Sequence, residues 1–167
     1  MAEITFYFLR GRNWISGTIA RGQMGFPYTH VGCRLASGHL ISAHWQDGVQ
    51  IRKDSDEGGW TNWAWISIPC TDDEYEKHED WLLAQVEKRY DIGAILGMAA
   101  RFLTAISAPS HWPTRWVCSS LQYQGLKELG RFPRIEPAPI STVTPRDFMF
   151  SLMGIEGRKY SIREVGR

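Results

Sequence analysis

The run Trp116-Val117-Cys118-Ser119-Ser120-Leu121 decides how this chain is interpreted. A short apolar approach typical of a strand leads into it, and apolar residues then recur at Leu121, Leu126 and Leu129 with helical spacing. This pattern predicts a helix that begins at Cys118 and stops at Gly130, a residue suited to a left-handed cap. Because a helix N-terminus carries unpaired N–H groups and partial positive charge, we expect a lowered thiol pKa for Cys118 and a place for an oxyanion.

A thiol nucleophile needs a base, and the segment Tyr28-Thr29-His30-Val31-Gly32 offers a histidine on a predicted strand. A Cys/His pair performs acyl transfer: the histidine ionises the thiol, the thiolate attacks a carbonyl, and N–H groups at the helix start stabilise the tetrahedral oxyanion. The sequence therefore predicts Cys118 as nucleophile and His30 as its base, within contact reach of each other.

A third polar group usually fixes the tautomer of such a histidine, and two candidates lie on the next predicted strand. Ser42 and His44 alternate with Leu40 on one face of that strand. If the hairpin loop is Ala36-Ser37-Gly38, His30 lies opposite His44 on the same face, whereas a two-residue loop would shift the register. We take His44 as the orienting residue and Ser42 as its alternative.

The order of these residues, histidine before cysteine, resembles that of circularly permuted papain-like proteins. Three segments carry a resemblance to the permuted NlpC/P60 hydrolases (YiiX/YaeF and LRAT-like): Thr29-His30-Val31-Gly32, Tyr90-Asp91 and Cys118-Ser119-Ser120-Leu121. A fourth segment, Thr144-Pro145-Arg146-Asp147-Phe148, is similar to a helix start near the C-terminus of these proteins. The resemblance covers roughly residues 4 to 153.

The resemblance implies an α+β, permuted papain-like fold in which an antiparallel sheet packs against helices and the nucleophile lies at a helix N-terminus. It also implies a cysteine hydrolase, an amidase or endopeptidase acting on peptidoglycan stem peptides, with Tyr90 and Ser119 beside the substrate and no metal or other cofactor. Family members often carry an acidic residue or a histidine as the third group, and this chain has no acid between Cys33 and Asp47.

Two alternatives stay open beside the amidase. One is a weakly active or inactive structural module of a phage tail, which the missing acid favours. The other is a hydrolase of lipid or thioester acyl groups. A compact domain without a wall-binding module resembles the phage tail members of the family, so phage tail proteins are the expected partners.

The N-terminal residues do not form a secretory leader, since the apolar run from Ile4 to Leu9 is followed at once by Arg10 and Arg12. We therefore expect a virion-associated protein, or one in the cytoplasm of a bacterial host. No run reaches membrane-spanning length, and the stretch from Ile92 to Leu103 predicts a buried helix.

Composition indicates one domain over residues 1–167. The net charge of +1 argues against an electrostatic nucleic-acid binder. Three cysteines are an odd number without a close pair, which suits a reducing compartment and no disulfide framework. Cys33 and Cys70 lie in strand-like runs and are predicted to be buried.

Other histidines and acids are given less weight. A zinc site from Cys33, His39 and His44 lacks the tight spacing of metal motifs, and His78 and His111 are predicted to lie on the surface. A glycosidase needs two carboxylates across a cleft, but the acids that follow Thr71 share one predicted helix, which starts there with a capping box.

The expected elements follow from periodicity and caps. The predicted strands are 4–9, 29–35, 40–45, 48–51, 63–68 and 159–165. The predicted helices are 13–19, 71–90, 91–103, 118–130 and 144–153, with an extended linker around three prolines between the last two.

Overall fold

The computed structural model describes residues 1–11, 14–53, 61–95, 114–131 and 143–162. Its strands are β1 (Ala2–Arg10), β2 (His30–Arg34), β3 (Leu40–His44), β4 (Gly48–Arg52), β5 (Thr61–Cys70), β6 (Arg89–Tyr90), β7 (Arg115–Trp116) and β8 (Lys159–Ile162). Its helices are α1 (Trp14–Gly22), α2 (Asp72–Leu83), α3 (Cys118–Glu128) and α4 (Pro145–Met153).

Six strands form one antiparallel sheet in the order β4-β3-β2-β1-β5-β8, and β6 and β7 form a separate parallel pair. The architecture is α+β. The central strand β1 shows why the sheet has two different faces: Ile4, Phe6 and Phe8 are fully buried, while the residues between them are partly exposed. This period of two is the signature of a strand with one face on the core.

The buried face of the sheet is covered by helices. The Phe6 ring meets Phe148 of α4 at a centroid distance of 5.0 Å and His78 of α2 at 6.0 Å, both edge to face. Leu121 and Leu126 of α3 are also fully buried in the same core. The helices thus hold the start of α3 against the middle strands of the sheet.

Side-chain caps fix where two of these helices begin. Thr71 and Glu74 form the predicted capping box of α2, and Thr144 and Asp147 form another at the start of α4, where Pro145 takes the first helical position. Among the described residues, no helix is long and apolar enough to cross a bilayer.

The expected strands and helices recur in the structure, with one correction. Leu82, Val86 and Tyr90 were predicted to share one helix, but α2 ends at Leu83 and Tyr90 lies in β6. The chain turns back after α2, and Glu87 adopts a left-handed φ of 69° that no helix can continue. The proline linker, residues 96–103 of the predicted apolar helix, and residues 163–165 of the last strand lie outside the described residues.

Candidate functional site

Cys118 is the first helical residue of α3, as predicted. No side chain of Val117 caps this helix; instead Ser120 Oγ accepts a hydrogen bond from the Val117 N–H at 3.1 Å and donates to the Val117 carbonyl at 3.0 Å. The Cys118 side chain is 1% exposed. Its sulfur therefore sits at a helix start that is packed inside the protein.

The expected lowering of the Cys118 pKa is wrong. Burial raises the pKa of this thiol to about 11, although the backbone groups of Val31 and Ser119 lower it in part. The cost of placing a thiolate in a dry interior outweighs the favourable dipole of the helix start. The resting form of Cys118 is a neutral thiol.

His30 is held by a short chain of hydrogen bonds. Its Nε2 lies 2.9 Å from Ser42 Oγ, and Ser42 donates to the Val31 carbonyl at 2.6 Å. Because the serine hydroxyl has one proton and gives it to Val31, the proton between His30 and Ser42 belongs to Nε2. The neutral ring then has its basic lone pair on Nδ1.

His44 lies beside His30, with ring centroids 4.9 Å apart. The hairpin loop has three residues: Leu35 N–H donates to the His39 carbonyl at 2.9 Å, and Cys33 pairs with Ile41. This is the register in which His30 and His44 lie opposite each other. Ser42 and His44 thus both neighbour His30, Ser42 by a hydrogen bond and His44 by ring contact.

Burial lowers the pKa of His30 well below its usual range, and the charges of His44 and Arg52 lower it further. Burial also lowers the pKa of His44 to about 4. The charge of Arg52 lowers this pKa as well, and the charge of Asp47 raises it. Arg52 belongs to β4 and is paired with Asp47 at 2.5 Å. Both imidazoles are therefore neutral near pH 7.

The strands β2 and β3 part where the cysteine meets the sheet. The last paired residues of their ladder are Cys33 and Ile41. The next hydrogen-bonded pair, which would include Val31, is not formed. Side chains satisfy the backbone groups beyond it: Ser42 donates to the Val31 carbonyl, and Gln122 Nε2 donates to the Ile41 carbonyl at 3.0 Å. The Val31 backbone also lowers the pKa of Cys118 in part, so the thiol lies near the residue that follows His30.

Tyr90 and Asp91 lie in and directly after β6, which pairs with the short strand that leads into α3. The pKa of the half-buried Tyr90 is raised well above its usual value, first by burial and then by the charges of Cys118 and Asp91. The Asp91 carboxylate accepts the Ala94 N–H at 2.9 Å, and its own N–H donates to the Trp116 carbonyl at 3.0 Å. Asp91 therefore anchors the backbone that carries Tyr90.

Ser119 is fully buried beneath the site. Its hydroxyl donates to the Val143 carbonyl at 2.6 Å, which ties the start of α3 to the segment before α4. A contact between Ser119 and a substrate would therefore be made by its backbone N–H.

A second Cys/His contact lies deeper in the core. Cys33 Sγ is 3.8 Å from His78 Nε2, and both residues are 2% exposed. The prediction that His78 lies on the surface is wrong, because His78 and Leu82 share the buried face of α2. Burial raises the pKa of Cys33 strongly, so this pair is a packed structural contact. His111 lies outside the described residues.

The zinc alternative is also wrong. Cys33 contacts His78, His44 contacts His30, and His39 is partly exposed in the hairpin loop, where its ring meets Ser37. Cys33 and Cys70 are free and buried, as predicted.

Sequence reasoning missed two polar residues of the site. Gln122 lies one helical turn after Cys118 and is fully buried, and its position on the core face of α3 was the available signal. Arg52 was missed because only the register of β3 with β4, in which Leu40 pairs with Arg52 and Ser42 with Gln50, brings it to the face of the histidines.

No protein-family profile matches the sequence, and no curated protein matches it. Among solved structures, the fold is similar to that of the metalloprotein YiiX from Escherichia coli O157:H7, of the family DUF1105, with a TM-score of 0.52 over 96% of both chains at 12% sequence identity.

A metal does not fit the described residues of this chain. No three of their His, Cys, Asp or Glu side chains group closely enough to hold an ion. The histidine pair has Ser42 and the cationic Arg52 beside it, and the Arg52 charge opposes a bound cation. At 12% identity, this likeness shows a similar fold and nothing further.

Proposed function

We propose that this protein is a cysteine hydrolase of the permuted papain-like type, with Cys118 as nucleophile and His30 as general base. The proposal rests chiefly on one observation: Ser42 Oγ bonds both His30 Nε2 and the Val31 carbonyl, while Gln122 of the helix that begins at Cys118 donates to the Ile41 carbonyl of the strand that carries Ser42. The helix start and the oriented histidine therefore belong to one hydrogen-bonded part of the sheet.

The reaction begins from a neutral pair. The thiol pKa is raised to about 11 and that of His30 is lowered, so a resting thiolate–imidazolium pair is disfavoured. As Sγ attacks the substrate carbonyl, its proton passes to His30 Nδ1, and the carbonyl oxygen becomes an oxyanion. The imidazolium then gives that proton to the leaving amine or alkoxide, which departs and leaves a thioester on Cys118.

Hydrolysis of the thioester repeats these steps with water. His30 Nδ1 takes a proton from water, the resulting hydroxide adds to the thioester carbonyl, and Cys118 leaves as the thiol after His30 returns the proton. The backbone N–H groups at the start of α3, including that of Ser119, are the donors available for the oxyanion. Tyr90, which pairs with Trp116 two residues before Cys118, is assigned to substrate contact.

The third residue decides between an enzyme and an inactive module. Family members often carry an acidic residue or a histidine as the third group; this chain has no acid there, but Ser42 accepts the Nε2–H, and the His44 ring lies 4.9 Å from the His30 ring. Ser42 can therefore orient the His30 ring, which favours an enzyme over an inactive structural module of a phage tail. Ser42 is the more direct orienting group, and His44 acts through the position of the His30 ring.

The substrate class proposed is an amide of peptidoglycan stem peptides, which comes from the family resemblance; esters and thioesters are the alternatives. Purified protein is expected to hydrolyse one of these in a panel of stem peptides, aryl esters and acyl thioesters. Cys118→Ala should lower turnover by several orders of magnitude, because oxyanion donors and binding leave only residual catalysis. Cys70→Ala is the matched control and should retain activity.

The structural-module alternative predicts a different result. Wild-type and Cys118→Ala proteins would then be equally inert on every substrate of the panel while both remain folded.

A further inference from the structure

The turn that follows α1 holds an exposed residue in an unfavourable conformation. Met24 has φ 59° and Gly25 has φ 78°, and Gly25 N–H donates to the Ala20 carbonyl at 2.7 Å across the helix end. Glycine is the usual residue at such a left-handed helix end, because a β-carbon there costs free energy. Met24 is 76% exposed, so its side chain gains little burial within this chain to offset that cost.

A buried glutamine holds this turn in place. Gln23 is 3% exposed, and its Nε2 donates to the Phe26 carbonyl at 3.1 Å and to the Tyr28 carbonyl at 2.5 Å. Its Oε1 accepts the N–H of Arg146 in α4 at 3.2 Å. The turn is therefore fastened to α4 and presents Met24 in a fixed direction.

Aromatic and cationic side chains surround this turn. The rings of Phe26 and Phe150 lie 6.1 Å apart, Phe150 is 50% exposed, and the Arg146 guanidinium lies 5.6 Å from the Phe150 ring centroid. Arg21, in the last turn of α1, is exposed as well. We call these five residues, Arg21, Met24, Phe26, Arg146 and Phe150, the Met24 patch.

We propose that the Met24 patch docks the protein on the headgroup region of an anionic lipid bilayer. A thioether and an aromatic ring insert well at the boundary between headgroups and acyl chains, and two guanidinium groups complement lipid phosphates. The neighbouring carboxylate of Asp147 does not neutralise these cations, since it turns back to accept hydrogen bonds from the N–H and hydroxyl of Thr144.

The patch adjoins the candidate active site through β2. Phe26 packs edge to face on Tyr28 at 5.6 Å, and Tyr28 lies two residues before His30. A docked protein would therefore hold the start of the His30 strand near the bilayer surface. The docking proposal does not require that the chain hydrolyse anything.

Vesicle cosedimentation tests the proposal. Wild-type protein should bind vesicles of phosphatidylcholine with about one-quarter phosphatidylglycerol, bind pure phosphatidylcholine at least several-fold more weakly, and lose binding as salt is raised. Met24→Gly removes the exposed side chain and relieves the left-handed strain, so it should reduce binding several-fold in a protein that is at least as stable. Arg146→Gln should weaken binding chiefly on the anionic vesicles.

Leu83→Ala is the control, because Leu83 is 40% exposed at the end of α2, outside the patch, and binding should be unchanged. Cys118→Ala should also bind like wild type, which separates docking from hydrolysis. The proposal is overturned if the wild-type protein binds neither kind of vesicle or if Met24→Gly binds as well as wild type. It is also overturned if sedimentation shows a dimer that Met24→Gly dissociates, since the patch would then join two copies.

Discussion

The Nε2 atom of His30 lies 2.9 Å from the Oγ of Ser42, whose proton goes to the Val31 carbonyl. Ser42 therefore takes the position of the acidic residue or histidine that the family resemblance would lead one to expect beside the ring. A neutral hydroxyl orients the ring without raising its basicity as a carboxylate would. The pKa of His30 can therefore stay well below its usual value.

Ser42→Ala should impair both turnover and stability. Without the hydroxyl, the His30 N–H and the Val31 carbonyl lose a buried partner, which is expected to lower the free energy of unfolding by about 1–3 kcal/mol. Loss of ring orientation should reduce kcat by about 100-fold. Ser42→Thr keeps the hydroxyl and should recover most of the activity. Urea denaturation and steady-state kinetics provide the two readouts, and equal activity of the Ala and Thr variants would contradict the orienting role.

The pH dependence of Cys118 alkylation reports on the charge state of the resting pair. With a thiol pKa of about 11, the thiolate fraction at pH 7 is roughly 10⁻⁴ and rises about tenfold per pH unit. The iodoacetamide rate, read by peptide mass spectrometry at Cys118, should therefore climb from pH 7 to 10 without a plateau. His30→Gln should leave this slope unchanged. A plateau below pH 8 that disappears in His30→Gln would instead mean that a resting ion pair exists.

Substitution of two helical glycines by alanine should change the stability of the protein in opposite directions. A β-carbon on Gly125 of α3 would lie 2.7 Å from His78 Cε1, so Gly125→Ala must displace a buried ring and should destabilise the protein by about 1–3 kcal/mol. A β-carbon on Gly17 of α1 would meet nothing within 4 Å, so Gly17→Ala should stabilise by about 0.5–1 kcal/mol. Thermal unfolding of both variants measures the difference. A stable Gly125→Ala protein would show that α2 and α3 pack less tightly than the structure has them.

Local signals predicted much of this fold. The alternation of β1, the capping boxes at Thr71 and Thr144, and the helix start at Cys118 each depend on a few neighbouring residues, so the sequence carries them directly. The hairpin loop is local as well, but the sequence left its length open between two and three residues; the structure has three, the length that brings His44 beside His30.

Properties that depend on distant parts of the chain were not predictable in this way. The Cys118 pKa depends on how completely the rest of the fold buries the helix start. The partial charge of the helix end, considered alone, predicts a lowered pKa, whereas burial raises it. His78 was placed on the surface because its charged neighbours on α2 hide its position on the same face as Leu82. The parallel pairing of Arg89 with Arg115 joins segments too far apart in sequence for any periodicity to indicate.

His78 should make the protein sensitive to acid. Burial lowers the pKa of its imidazole to about 4, compared with 6.5 in an unfolded chain, so between these values the unfolded state binds the extra proton. The contribution of His78 to stability is therefore complete above about pH 6.5 and is lost as pH falls towards 4, a decrease of about 3 kcal/mol. His44, whose pKa is also lowered to about 4, contributes to the loss of stability over the same pH range.

Urea denaturation of His78→Gln at several pH values should show a smaller loss of unfolding free energy between pH 6.5 and 4 than wild type, whatever its stability at pH 7. His39→Gln, at a partly exposed loop position, should keep the wild-type slope, and an unchanged slope in His78→Gln would mean that the pKa of the buried ring is the same in the folded and unfolded states.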